Sequence, residues 1–169
     1  MEAMQGSLII RANALLTSVF VLSAIVAAVL FDNPWKVIAV AIALFCFTVG
    51  VAAFLWGYWN AVQRSREDNI SVAALYFLID NCAPRSVARR MNGLLAVQVI
   101  AALATAIARP STGDDRGSTL AFGILVPMLG LGLNGLWGAF YGSFQPRVTG
   151  KSSQVRDTGS QIEKDGDHD

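Results

Sequence analysis

The stretch "FGILVPMLGLGLNGLWGAFYGSF", residues 122–144, decides how the chain is read. Its 23 residues are enough to cross a hydrocarbon core of about 30 Å at about 1.5 Å per residue. Yet it holds six glycines, Pro127 and Asn134, all poor helix formers in water. A bilayer sets a different requirement. Lipid tails give helices no hydrophobic reason to associate, so close backbone approach, dispersion and inter-helix hydrogen bonds must hold them together, and small residues permit that approach. On a helical wheel Gly123, Pro127, Gly130, Asn134, Gly138 and Gly142 share one face, and Gly138 and Gly142 form a GxxxG pair. Of Leu131, Leu133, Leu136 and Phe140, all but Leu131 fall elsewhere. The glycines are therefore expected to form a smooth packing surface. Pro127 removes a backbone donor and frees a carbonyl, which makes it a candidate kink or hinge.

The rest of the chain fits the same class. Of 169 residues 54% are hydrophobic and 15% charged, against about a quarter charged in soluble domains. Four apolar runs predict spans at about 12–31, 37–59, 92–108 and 119–143. The first run is longer than the apolar region of a signal peptide, about 7–15 residues. "DNPWK" makes a tight turn between the first two runs, and the second ends in the aromatic cluster "WGYW", suited to the headgroup region. Residues 70–80, around "ISVAALYFLI", are too short to span and predict an interfacial helix capped by Asn69 or Ser71. The expected architecture is all-α: a four-transmembrane-helix bundle over residues 1–146, with a disordered polar tail at 147–169.

Small residues recur in the other runs. Ala39, Ala43, Cys46, Gly50, Ala53 and Gly57 repeat at alternating spacings of four and three, the stripe of a left-handed helix crossing. The third run presents Gln98, Ala101, Thr105 and Ala108, and the first Asn13, Thr17, Ala24 and Ala28.

Charge orients the chain. Arg11, the loop arginines (Arg64, Arg66, Arg85, Arg89, Arg90) and the tail cations (Arg147, Lys151, Arg156, Lys164) fall on one side of the four runs. Only Lys36, Arg109 and Arg116 fall on the other. The positive-inside rule then predicts a plasma-membrane protein with both termini and the middle loop in the cytoplasm.

The chemistry is sparse. Cys46 and Cys82 lie in unrelated contexts and read as free thiols, and the single histidine, His168, has no cluster around it. No metal, cofactor, catalytic residue or nucleic-acid partner is expected, and the chain has no phosphate loop and no nucleotide fingerprint. No ionisable residue sits near the middle of a run, where proton relays and cation pathways usually place one. Gln98 and Asn134 are the amides well inside their runs. They are expected to bond another helix, or each other, or to line a polar path with Thr105. Arg85, Arg89 and Arg90 stand just below the third run and suit contact with anionic lipid headgroups.

Three stretches, "VQRSREDNISVAALYFL", "APRSVARR" and "LAFGILVPMLGLGLNGLW", followed by a short polar tail, resemble the small four-span integral membrane proteins of high-GC Gram-positive bacteria. The resemblance covers roughly residues 64–144. That group has no assigned activity, so it implies a fold and no site residues. Abundant small-residue surface without reactive groups makes the expected function that of a non-enzymatic accessory or scaffold subunit of a membrane or envelope complex, or of a homo-oligomer. The expected partners are the lipid bilayer and another membrane protein or a second copy. A small-molecule transporter or channel with a path near Gln98 and Asn134 is the alternative.

Overall fold

The computed structural model describes residues 2–30, 33–108 and 123–146. The predicted tail at 147–169, Arg109, Arg116 and the start of the fourth predicted span lie outside the described residues.

The fold is mostly helical, with four helices long and apolar enough to cross a membrane. In chain order the elements are α1 (Glu2–Leu30), α2 (Asn33–Arg64), β1 (Asp68–Asn69), α3 (Val72–Phe77), α4 (Arg85–Ala108), α5 (Pro127–Tyr141) and β2 (Gln145–Pro146). Helices α1 and α2 outrun the predicted spans 12–31 and 37–59. The cause is local: neither the polar start of α1 nor "NAVQR" at the end of α2 contains a residue that stops a helix. At about 1.5 Å per residue α2 measures about 48 Å, well beyond a hydrocarbon core of about 30 Å. Helix α4 starts directly after Pro84, whose carbonyl accepts the amides of Val87 and Ala88.

Contacts fix the sense of the bundle. Gly6 lies beside Trp137, Arg64 reaches the carbonyl of Ala139, and the Ser143 amide bonds the Cys82 carbonyl. The start of α1, the end of α2, α3, the start of α4 and the end of α5 therefore gather at one end. There β1 and β2 pair antiparallel, tying the loop before α3 to the segment after α5.

Helix α5 is the centre: 61% of its apolar segment is buried, against 28%, 28% and 17% for the others. It packs on α2 along most of its length and also meets α1, α3 and α4. The usual arrangement of a soluble protein is inverted. Asn13, Thr17, Gln98 and Asn134 are buried, while Leu15, Leu22, Val29, Phe45, Leu55, Ile100 and Ile107 are exposed. So much contiguous apolar surface needs an apolar surrounding.

The short segment departs from its predicted form. Helix α3 covers six residues, not 70–80, because Leu78 takes a left-handed conformation (φ 52°) and ends it. Ser71 occupies the N-cap position, yet its hydroxyl makes no capping bond; its carbonyl accepts the Leu75 amide instead. Nor is α3 laid flat against the outside. Ala74, Leu75 and Tyr76 are buried, and it packs against α5.

Candidate functional site

Two polar clusters hold the helices together, one around each amide singled out from the sequence; the first is buried and the second opens outward at Asn92. The first centres on Gln98. Its Nε2 donates to Asn13 Oδ1 at 3.1 Å and to Thr17 Oγ1 at 2.7 Å, both on α1. Its Oε1 accepts the backbone N–H of Gly130 at 3.0 Å. Thr17 Oγ1 also donates to Asn13 Oδ1 at 3.4 Å, and Asn13 Nδ2 points at Met91 Sδ at 3.8 Å. One amide therefore joins α1, α4 and α5.

The local turns show why Gly130 has a donor to offer. Proline has no N–H, and the chain tightens into a 3₁₀ turn at 123–125, where the Val126 amide bonds the Gly123 carbonyl at 3.0 Å. The Leu129 amide then takes the Val126 carbonyl at 2.8 Å, three residues back. The next amide, Gly130, turns to Gln98. A helix start buried in a bundle needs partners for its first amides; here a neighbouring helix supplies one.

The second cluster centres on Asn134. Its Nδ2 donates to the Tyr76 carbonyl and to Asn92 Oδ1, each at 3.0 Å. Asn92 Nδ2 donates in turn to the Phe77 carbonyl at 2.6 Å, which fixes the orientation of its amide. This cluster clamps α3 between α4 and α5. Tyr76 reinforces it by stacking on Phe54, with ring centroids 4.4 Å apart, and by donating to the Phe54 carbonyl at 3.3 Å. Asn134 Oδ1 has no hydrogen-bond partner among the described residues.

The amides Gln98 and Asn134 do not meet, and Thr105 joins neither. Its hydroxyl bonds back to Ala101 O and Ala102 O at 2.9 and 3.0 Å. The three residues of the expected polar path thus have three separate sets of partners.

Glycines set the distance between α2 and α5. A Cβ on Gly50 would fall 2.5 Å from the Leu129 nitrogen, and one on Gly57 2.9 Å from the Gly135 carbonyl carbon. Ala39, Ala43, Cys46 and Ala53, in line with these glycines, are buried too. In and just before α5 the glycines serve different neighbours. Gly130 faces Gln98 and Leu95 of α4, Gly138 faces Leu75, and Gly123 faces Phe20 and Thr105. Gly132 and Gly135, outside the face drawn from the sequence, press on the Gly50 carbonyl and on the Tyr76 ring. Gly142 follows the helix, its amide on the Gly138 carbonyl, and Pro127 is half-buried.

At the end where α3 sits, Arg64 Nε donates to Asp68 Oδ2 at 2.8 Å, its Nη1 reaches Ala139 O at 3.3 Å, and its guanidinium lies 5.3 Å from the Phe144 ring centroid. It closes the C-terminal turn of α5. Cys82 is buried, with its thiol on the Ala74 carbonyl at 3.0 Å. Burial, and then the charge of Asp80, push that thiol's pKa up, which keeps it protonated and unreactive. Arg85, Arg89 and Arg90 are exposed on α4. Among the described residues no His, Cys, Asp and Glu cluster able to hold a metal occurs.

Asn92, Tyr76 and Met91 were not among the residues singled out from the sequence. Asn92 had one visible signal, a short amide one residue before Gly93 at the edge of an apolar run. No family model, curated protein or solved structure is similar to the chain.

Proposed function

We propose that the protein is an integral plasma-membrane protein, a four-helix transmembrane bundle with both termini in the cytoplasm, serving as a non-enzymatic accessory or scaffold subunit of a membrane or envelope complex or as a homo-oligomer. One observation carries the reading. The amide at the centre of a would-be solute path is engaged in joining helices: Gln98 uses both its N–H groups and its carbonyl on α1 and α5. Meanwhile the outer faces of α1, α2 and α4 are apolar and exposed. Between α1 and α2, floored by Leu133 and Leu136 of α5, runs an open apolar groove of about 690 Å³. Such a surface suits the helix of another chain, since membrane helices associate by packing.

The orientation rests on the cation count across the runs. The test is extraction of the tagged full chain from its native membrane in mild detergent, with mass measurement of the intact complexes. An assembly of fixed stoichiometry is expected, with another protein or with copies of this chain. A monomer alone would overturn the proposal.

A further inference from the structure

Helix α4 borders a groove on its outer side. Asn92, Leu95, Ala96, Val99 and Ile100 form one wall of a shallow, mostly apolar groove of about 610 Å³, and Phe77 and Ile79 form the other. The backbone builds that second wall. Leu78 turns inward in its left-handed conformation and is buried, and this leaves Phe77 and Ile79 exposed on either side of it.

The same face of α4 continues into charge. At 100° per residue, Arg85 and Arg89 fall within the arc of the groove residues, whereas Arg90 falls outside it. Arg89 lies seven positions before Ala96, about 10 Å along the axis. Arg85 and Arg89 are exposed and have no ion-pair partner among the described residues. Asp80, close in sequence to this wall, lines a separate polar hollow with Asn69, Ser71 and Asn81.

With Arg89 about 10 Å and Arg85 about 16 Å along the axis from Ala96, the cationic pair stands above the apolar furrow as a phosphate stands above an acyl chain. We propose that this face binds one anionic phospholipid, with its phosphate against Arg85 and Arg89 and an acyl chain between α4 and the Phe77–Ile79 wall. The site assumes a membrane-embedded chain but not the subunit role. Release of the chain from membranes by alkali would count against the membrane reading, whereas the lipid titration below tests the site alone.

The experiment is native mass spectrometry of the full chain in mild detergent, titrated with phosphatidylglycerol and, in parallel, phosphatidylcholine. One phosphatidylglycerol is expected to bind in preference to phosphatidylcholine. Arg85→Gln and Arg89→Gln should each weaken it about fivefold, and the pair about thirtyfold, while Arg90→Gln leaves it within about twofold. Ala96→Phe, at an exposed position, fills the groove without changing charge and should also weaken binding; Val99→Phe repeats that test, and helix content by circular dichroism checks folding. Equal affinity for the two lipids would overturn the proposal. So would an Arg90→Gln loss equal to that of Arg89→Gln, or full retention in both groove-filled variants.

Discussion

Gln98 Oε1 accepts the backbone N–H of Gly130 at 3.0 Å, so a side chain on α4 completes the first turn of α5. The Val126 carbonyl, which the Gly130 amide would meet in a regular helix, is taken by the Leu129 amide three residues back, and the bond needs glycine at 130, where a Cβ would fall 2.6 Å from that same oxygen.

Gln98→Leu should therefore remove more than one contact. It leaves the Gly130 amide, Asn13 and Thr17 without their shared partner in an apolar interior. The expected loss is about 2 kcal/mol, measured as the midpoint of unfolding in a detergent series. Thr17→Val removes a smaller part of the cluster and should cost about 1 kcal/mol or less.

Glycine substitutions separate crowding from propensity. At Gly50 the obstructing atoms are backbone atoms of Met128 and Leu129, which cannot step aside. Gly50→Ala should cost about 3 kcal/mol, at the upper end for overpacking. At Gly93 nothing lies within 4 Å of the added methyl. Gly93→Ala should stabilise, by up to about 1 kcal/mol, through helix propensity alone. Unfolding midpoints of the two variants read the difference directly.

This contrast also shows what was legible beforehand. The stripe from Ala39 to Gly57 could be drawn because α2 buries one face, and a single buried face imprints a single period. On α5 the same procedure picks out one face, although burial extends around the helix: Gly132 and Gly135 lie off the stripe and still touch α2 and Tyr76. A helix wrapped on several sides has no single stripe to find. Gln98 and Asn134 stood out as costly amides, but their partners did not, because Asn13 is 85 positions from Gln98 and Tyr76 58 from Asn134. Periodicity carries no information over such distances. The early end of α3 rests on a positive φ at Leu78, which a leucine does not advertise.

Asn134→Leu should loosen α3 more than it loosens the rest. The bonds it removes run to Tyr76 and Asn92, so the expected sign is faster backbone deuterium exchange across 72–77, with α1 little changed. Equal acceleration throughout the chain would mean that Asn134 supports the whole bundle rather than this clamp.

The segment also predicts a pH dependence. Burial, with a smaller contribution from Tyr58, raises the pKa of Tyr76 to about 12, and burial with Asp80 raises that of Cys82. The unfolded chain would release these protons first as pH rises, so the folded state holds more protons in that interval. Stability is then fully present below about pH 9 and declines as pH climbs toward 12. A melting temperature falling over that range, with a shallower fall in Tyr76→Phe, is the expected result. At pH 8 a thiol reagent should leave Cys82 unmodified until the protein is unfolded.

Gln98 and Asn134 bond across to other helices and Thr105 bonds back to its own, an arrangement for packing rather than for a path. Cysteine accessibility in native membranes tests it most directly. Gln98→Cys and Thr105→Cys, each in a chain with Cys46 and Cys82 replaced by alanine, would be exposed to a membrane-impermeant thiol reagent from either side, with Arg85→Cys as the accessible control. Labelling of the control and none at positions 98 and 105 is expected. Labelling at both positions, at a rate approaching that of the control, would contradict it and indicate a water-filled path through the bundle.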